Sequence, residues 1–223
     1  MSLTERPLRS DAARNRKRVL AAAVELFRER GLDVGVAEIA QRAGVGRGTL
    51  FRNFPSKDDL IAAVVVERVH DALASGAELL QTGDPGEALF QFLEEIAGRQ
   101  QLDRALFEAV GDEWLSNPAI SAAHEQMLEL LGQLLARAQA HGTVRPDVTA
   151  VDVLMLFKGM CEAACAFAHL GGGVMTRQLD LIRASLTAPP SAAPLRGRSP
   201  TLAELRESSA PPPRAARRAP PSS

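Results

Sequence analysis

Tyrosine is absent from the chain, tryptophan occurs once, and aromatic residues make up only 4% of the sequence. A sandwich or barrel built from aromatic and β-branched strands would draw on more of them, so an all-β architecture is disfavoured. The only cysteines, Cys161 and Cys165, sit together in an apolar stretch. That spacing gives no disulfide framework and matches a reducing compartment. No uninterrupted apolar run approaches the ~18 to 20 residues that cross a bilayer as a helix. The first ten residues carry Glu5, Arg6, Pro7 and Arg9 in place of the apolar centre of a secretory signal. A cytoplasmic location without a membrane partner is expected. Signatures of catalysis are missing as well: there is no G-x-S-x-G elbow, no phosphate-binding glycine loop and no H-E-x-x-H. His70, His124, His141 and His169 are scattered without triad partners. Asp112 and Glu113 beside Trp114 resemble a general-acid site, but acids at a helix end are more often solvated. The expectation is no enzyme, no cofactor and no metal.

Helical periodicity is what the chain does have. Apolar residues recur as in Leu20, Val24 and Phe27, or Leu128, Leu131 and Leu135, while period-two alternation is scarce. The fold class is therefore all-α. Ser56 to Asp59, Asp84 to Glu87 and Thr149 to Asp152 each place a capping side chain three residues before an acid, and Asn117-Pro118 adds a further start. Glycines at 31, 44, 142 and 171–173 supply the stops. The spacing predicts nine helices, near 11–30, 36–43, 47–53, 57–80, 85–98, 102–111, 117–140, 149–170 and 174–187.

The formal net charge of −1 conceals an asymmetry. Residues 1–57 carry +6, residues 58–187 carry −11 and residues 188–223 carry +4. A basic front on an acidic body suits a polyanionic partner for the front. The last segment holds nine of the 14 prolines together with six arginines, and is expected to be disordered. Its arginines either add nonspecific attraction to DNA or form a solvated, idle extension.

Residues 36–54 read as two short helices about a glycine-containing turn, which is helix-turn-helix geometry. Ile39, Ala40, Val45, Leu50 and Phe54 can close a core with Leu20, Val24 and Phe27. The outward side of the second helix then offers Arg47, Gly48, Thr49, Phe51, Arg52 and Asn53. A guanidinium can fork onto guanine, a methyl-bearing hydroxyl can touch thymine and an amide can pair with adenine. Lys57 sits in a first helical turn, where unpaired N–H groups and the positive helix end favour an anion.

These residues resemble the TetR family of bacterial regulators, whose N-terminal domain typically reads I-A-x-x-A-G-V-x-x-x-T-L-Y-x-H-F-x-x-K. The match is carried by Ile39-Ala40, Ala43-Gly44-Val45, Thr49-Leu50-Phe51, Asn53-Phe54 and Lys57, within about residues 13–60. The resemblance implies that Arg47, Gly48 and Thr49 face bases, that Phe51 and Asn53 lie at the groove edge, and that Lys57 holds a phosphate. Gly35, with Val36 and Ala37 after it, opens the first helix of the motif at the same interface. Three departures stand out: Gly35 replaces the usual threonine cap, Phe51 the usual tyrosine and Asn53 the usual histidine.

The resemblance further implies an N-terminal DNA-binding domain (11–56) and a helical effector-binding and dimerisation domain (57–187), with the disordered tail at 188–223. The last two long helices would form a homodimer, and the protein would act as a repressor on a near-palindromic operator. Phe90, Leu93, Phe107, Trp114, Met127, Phe157, Met160 and Phe167 either line a mostly apolar pocket for a small-molecule effector or are plain helix core. Cys161, Cys165 and His169 fall on one helical stripe and suit either a thiol or metal sensor or ordinary packing. Two other readings remain: a dimerising adaptor without DNA binding, and an enzyme.

Overall fold

The computed structural model describes residues 5–102, 117–167, 169, 171, 173–187, 193–201, 203 and 204. Among them lie eight helices and no strand. They are α1 (Glu5–Arg30), α2 (Val36–Ala43), α3 (Arg47–Asn53), α4 (Lys57–Thr82), α5 (Ala88–Leu102), α6 (Pro118–His141), α7 (Ala150–Ala166) and α8 (Gly173–Leu186). The helix expected near 102–111 lies outside the described residues. No helix among the described residues is long and apolar enough to cross a membrane.

The caps follow the sequence chemistry in three cases. Ser56 and Asp59 exchange reciprocal bonds at the start of α4, and Thr149 and Asp152 do the same before α7. Asn117 accepts from the N–H groups of Ala119 and Ile120. Asp84 departs from the pattern. Its carboxylate accepts from Gly86 and Glu87, but the Glu87 carboxylate pairs with Arg183 of α8 instead of returning to Asp84. That guanidinium also lies 4.3 Å above the Phe90 ring. The Arg183 guanidinium takes the Glu87 carboxylate in place of the Asp84 N–H, and α5 begins at Ala88.

Two apolar cores form. The front core gathers Val19, Ala23, Leu26 and Phe27 of α1 with Ile39, Ala40, Leu50 and Phe54. It also contains Leu60, Ile61, Val64 and Val65 of α4, and Ile120 from the first turn of α6. The expected boundary between residues 56 and 57 therefore cuts through one continuous core. The body core joins Leu89 and Phe92 of α5, Leu130 and Leu134 of α6, Val153 and Phe157 of α7, and Ile182 and Leu186 of α8. Each fully buried large apolar side chain contributes about 1.5–3 kcal/mol of transfer free energy.

Helix α4 enters the body at a close crossing. A Cβ on Gly76 would lie 2.5 Å from Leu130 Cδ2 and 2.7 Å from Phe92 Cε2, so any larger residue would force these side chains to shift. The far end of α4 is held by Arg137, which donates to the carbonyls of Leu79 (3.2 Å), Leu80 and Gly83 (2.9 Å). The Leu79 carbonyl also accepts from the Gly83 N–H at 3.0 Å, while the Leu80 carbonyl is among those that a helix end leaves without a backbone partner.

Within the segment expected to be disordered, residues 193–201 lie against the loop before α7. Arg145 donates to the Ala193 carbonyl, the Leu195 N–H donates to Asp147, and the hydroxyls of Thr149 and Ser199 share a bond of 2.7 Å. Arg145 and the Leu195 amide hold the Asp147 carboxyl far below the usual carboxylate range.

Candidate nucleic-acid interface

The turn between α2 and α3 fixes how α3 is presented. Gly44 has φ +62°, a left-handed conformation that glycine adopts without a Cβ penalty, and it closes α2 with bonds back to Ala40 and Gln41. The Gly44 carbonyl accepts from Arg18 of α1 at 3.1 Å. Arg42 reaches from α2 to Glu25 (3.3 Å) and Glu29 (3.2 Å) of α1, and Arg30 pairs with Glu38. Arg42 holds the Glu29 carboxyl below its ordinary range. Such exposed pairs are individually weak, yet together they set the register of α2 on α1. They also occupy Glu25, Glu29 and Glu38, while no carboxylate among the described residues pairs with Arg47, Arg52 or Lys57.

Buried Leu50 and Phe54 anchor α3, and Arg16 lies 4.5 Å above the Phe54 ring from the α1 side. Arg47, Gly48, Phe51 and Arg52 are exposed, whereas Thr49 and Asn53 are half-buried. At about 100° per residue, Gly48 and Phe51 form the centre of the exposed strip, with Arg47 on one side and Arg52 on the other. Asn53 departs from the expected outward role. Its amide donates to the Thr49 carbonyl at 2.8 Å, because the inward-turned position offers a backbone acceptor one turn back. Arg52 similarly donates through Nε to the Gly48 carbonyl at 3.3 Å, which leaves its guanidinium at the surface.

Gly35 is the N-cap of α2, in extended backbone (φ −73°, ψ 143°) with no side-chain cap. Val36 packs half-buried on the front core and Ala37 is exposed. Lys57 is the first residue of α4, directly after the Ser56 cap. Sequence reasoning missed Arg16 and Arg18. Their partners lie 38 and 26 positions away, beyond any local spacing signal.

Of the expected effector-lining residues, Phe90, Leu93, Phe157 and Met160 are brought together in the body core, with Met127 packed against it. Phe167 does not join them, being 51% exposed. Phe107 and Trp114 lie outside the described residues. Helix α7 ends at Ala166, so His169 falls beyond it and the expected stripe is broken. Cys161 is buried while His169 is exposed beside Phe167, with ring centroids 6.3 Å apart.

Comparison with known proteins agrees with this arrangement. Residues 19–64 match the family described as bacterial regulatory proteins, tetR family, and residues 84–188 match the C-terminal domain of SbtR-like transcriptional regulators. The HTH-type transcriptional repressor KstR of Rhodococcus jostii is 32% identical over 153 residues, covering 67% of this chain and 72% of KstR. The crystal structure of a TetR regulatory protein from Mycobacterium vanbaalenii is 37% identical, with a TM-score of 0.62 over 82% of this chain and all of that one. The fold of Thermus thermophilus FadR, a TetR family repressor crystallised with lauroyl-CoA, is also shared. It is 24% identical, with a TM-score of 0.54 over 81% of this chain and 99% of FadR. With a left-handed glycine turn presenting a basic α3 on one core and a helical body matched separately, the chain belongs to the TetR family of bacterial helix-turn-helix transcriptional regulators.

Proposed function

We propose that this regulator is a cytoplasmic homodimeric repressor that binds a near-palindromic operator and is released by a small, mostly apolar effector. The observation that carries the reading is the outer face of α3, where Arg47 and Arg52 flank Gly48 and Phe51 without a paired carboxylate among the described residues. Such a face fits a major groove, which admits one helix and presents both phosphates and base edges. Lys57 and the adjoining α4 N-terminus add a phosphate contact.

A single seven-residue helix reads few base pairs. Two related by a twofold axis read half-sites about 34–36 Å apart, or a multiple of a helical turn. Met155, Leu156, Phe167 and Leu181, on and just beyond α7 and on α8, are exposed large hydrophobics and support self-association through these last helices. The apolar surroundings of Phe90, Leu93, Phe157 and Met160 support an effector of apolar character. Release then requires the effector to prefer the conformation that does not fit DNA.

Selection of bound duplexes from random oligonucleotides tests the reading. The expected result is one enriched near-palindrome. Arg47→Ala costs about 1–3 kcal/mol and relaxes specificity, whereas Lys57→Ala weakens all sequences alike and flattens the salt dependence. Recovery of no enriched sequence, with binding indifferent to both substitutions, refutes it. Dimerisation without DNA binding would leave the adaptor reading.

A further inference from the structure

Phe51 is 41% exposed, and it is the large hydrophobic side chain left exposed within α1–α3 among the described residues. The other exposed large hydrophobics lie from Met155 onwards, away from the reading helix. Phe51 also stands at the centre of the α3 strip. Gly48, its neighbour one turn earlier, contributes no side chain, and a Cβ there would meet only Arg52 Nη2, at 4.0 Å. The helix surface is therefore shallow at Gly48 and raised by one aromatic ring at Phe51, with a guanidinium on either side.

A phenyl ring neither donates nor accepts an ordinary hydrogen bond, so it can hold neither a phosphate nor a base edge by polar contact. The apolar group that the major groove offers is the C5-methyl of thymine. The flanking arginines supply the attraction to the polyanion that presses this apolar centre into the groove, and Gly48 lets the α3 backbone approach. We infer that Phe51 is a specificity-determining residue that reads a thymine C5-methyl in each operator half-site. The inference rests on the DNA-binding reading above and deepens it.

The test begins with the operator recovered by selection with the wild-type protein. Each thymine is then replaced singly by deoxyuridine, which removes the methyl and leaves base pairing and groove hydrogen bonds intact. Wild type is expected to lose about fourfold in affinity at one position per half-site, and about fifteenfold when both half-sites are changed. Phe51→Ala should bind the thymine operator more weakly and show no response at that position. Phe51→Leu, which keeps an apolar side chain, should retain a response. Because Phe51 is exposed, circular dichroism should show both variants folded like wild type.

Specific binding of the operator with no deoxyuridine-sensitive thymine overturns the inference while leaving the DNA-binding reading intact. The same holds if wild type and Phe51→Ala respond alike at every thymine. Absence of any sequence-specific binding overturns both.

Discussion

Replacing Gly76 by alanine sets two opposing effects against each other, and the geometry decides between them. Glycine inside a helix costs about 0.5–1 kcal/mol relative to alanine, so the substitution alone would stabilise α4. The new methyl, however, would stand 2.5 Å from Leu130 Cδ2 and 2.7 Å from Phe92 Cε2. Ordinary carbon contacts begin near 3.5 Å, so the neighbours must retreat by about 1 Å. Leu130 is 7% exposed and Phe92 is fully buried, so both would have to shift within packed surroundings. Overpacking of this kind costs about 1–3 kcal/mol, and the net expectation is a loss of about 1 kcal/mol or slightly more. Gly98 is the matched control, exposed within α5 with nothing within 4 Å of an added Cβ. Gly98→Ala should stabilise by about 0.5–1 kcal/mol. Urea unfolding followed by circular dichroism, at one fixed protein concentration because association shifts midpoints, reads both. The two midpoints should move in opposite directions. A rise for Gly76→Ala would refute the argument that α4 crosses α5 and α6 too closely for a side chain.

Ile120→Ala should destabilise the front core by about 2–5 kcal/mol, since this fully buried side chain leaves a cavity among α1, α3 and α4 residues. Hydrogen exchange should then accelerate in α1–α3, and acceleration confined to the body would contradict the assignment of Ile120 to the front. Asp147→Asn should raise amide exchange at Leu195, whose N–H donates to that carboxylate at 2.9 Å, and unchanged protection would show that the contact does not hold the segment. The pH dependence has a definite sign. Arg145 first, and then the Leu195 amide, lower the folded-state carboxyl below its unfolded value of about 4, so the attachment is complete above that pH and is lost only as pH falls through the folded value.

The parts of the fold legible in the sequence are those written within one or two turns. Ser56, Asn117 and Thr149 each announce a helix start because the capping side chain reaches a donor no more than three residues ahead. The α2–turn–α3 unit is legible for the same reason, since Gly44 and the Ile39, Leu50 and Phe54 positions define it locally. What was illegible depends on distant partners. Nothing near Gly76 marks it as a crossing point until Phe92 and Leu130 are placed beside it. The outward side of the second helix suggests Asn53 as a base reader, but it is half-buried and its amide donates to the Thr49 carbonyl one turn back. Glu87 looked like half of a capping box until Arg183, 96 residues later, claimed it. The docking of residues 193–201 is likewise invisible in a proline-rich composition, since it rests on one carboxylate, one guanidinium and one hydroxyl brought together by the α6–α7 loop.

The sharing of α4 and α6 between the two cores determines how the front can respond to the body. Leu60 to Val65 bury one end of α4 in the front core, and Gly76 locks its later turns between Phe92 and Leu130. Helix α6 makes the same span, with Ile120 in the front core and Leu130 and Leu134 in the body. No loop interrupts either helix between its two burials, so there is no soft segment to absorb a displacement. Interiors packed at crystal-like density transmit strain instead of dissipating it. Arg137 completes the restraint by fixing the carbonyl end of α4 to α6. A rearrangement of the body core that tilts α4 must therefore carry α1, α2 and α3 with it as one unit. In a dimer of the proposed kind, this makes the separation of the two α3 helices a property of the body, not of a flexible tether. The size of any response is then bounded by ligand discrimination, because a tenfold preference for one body conformation shifts the balance by only about 1.4 kcal/mol.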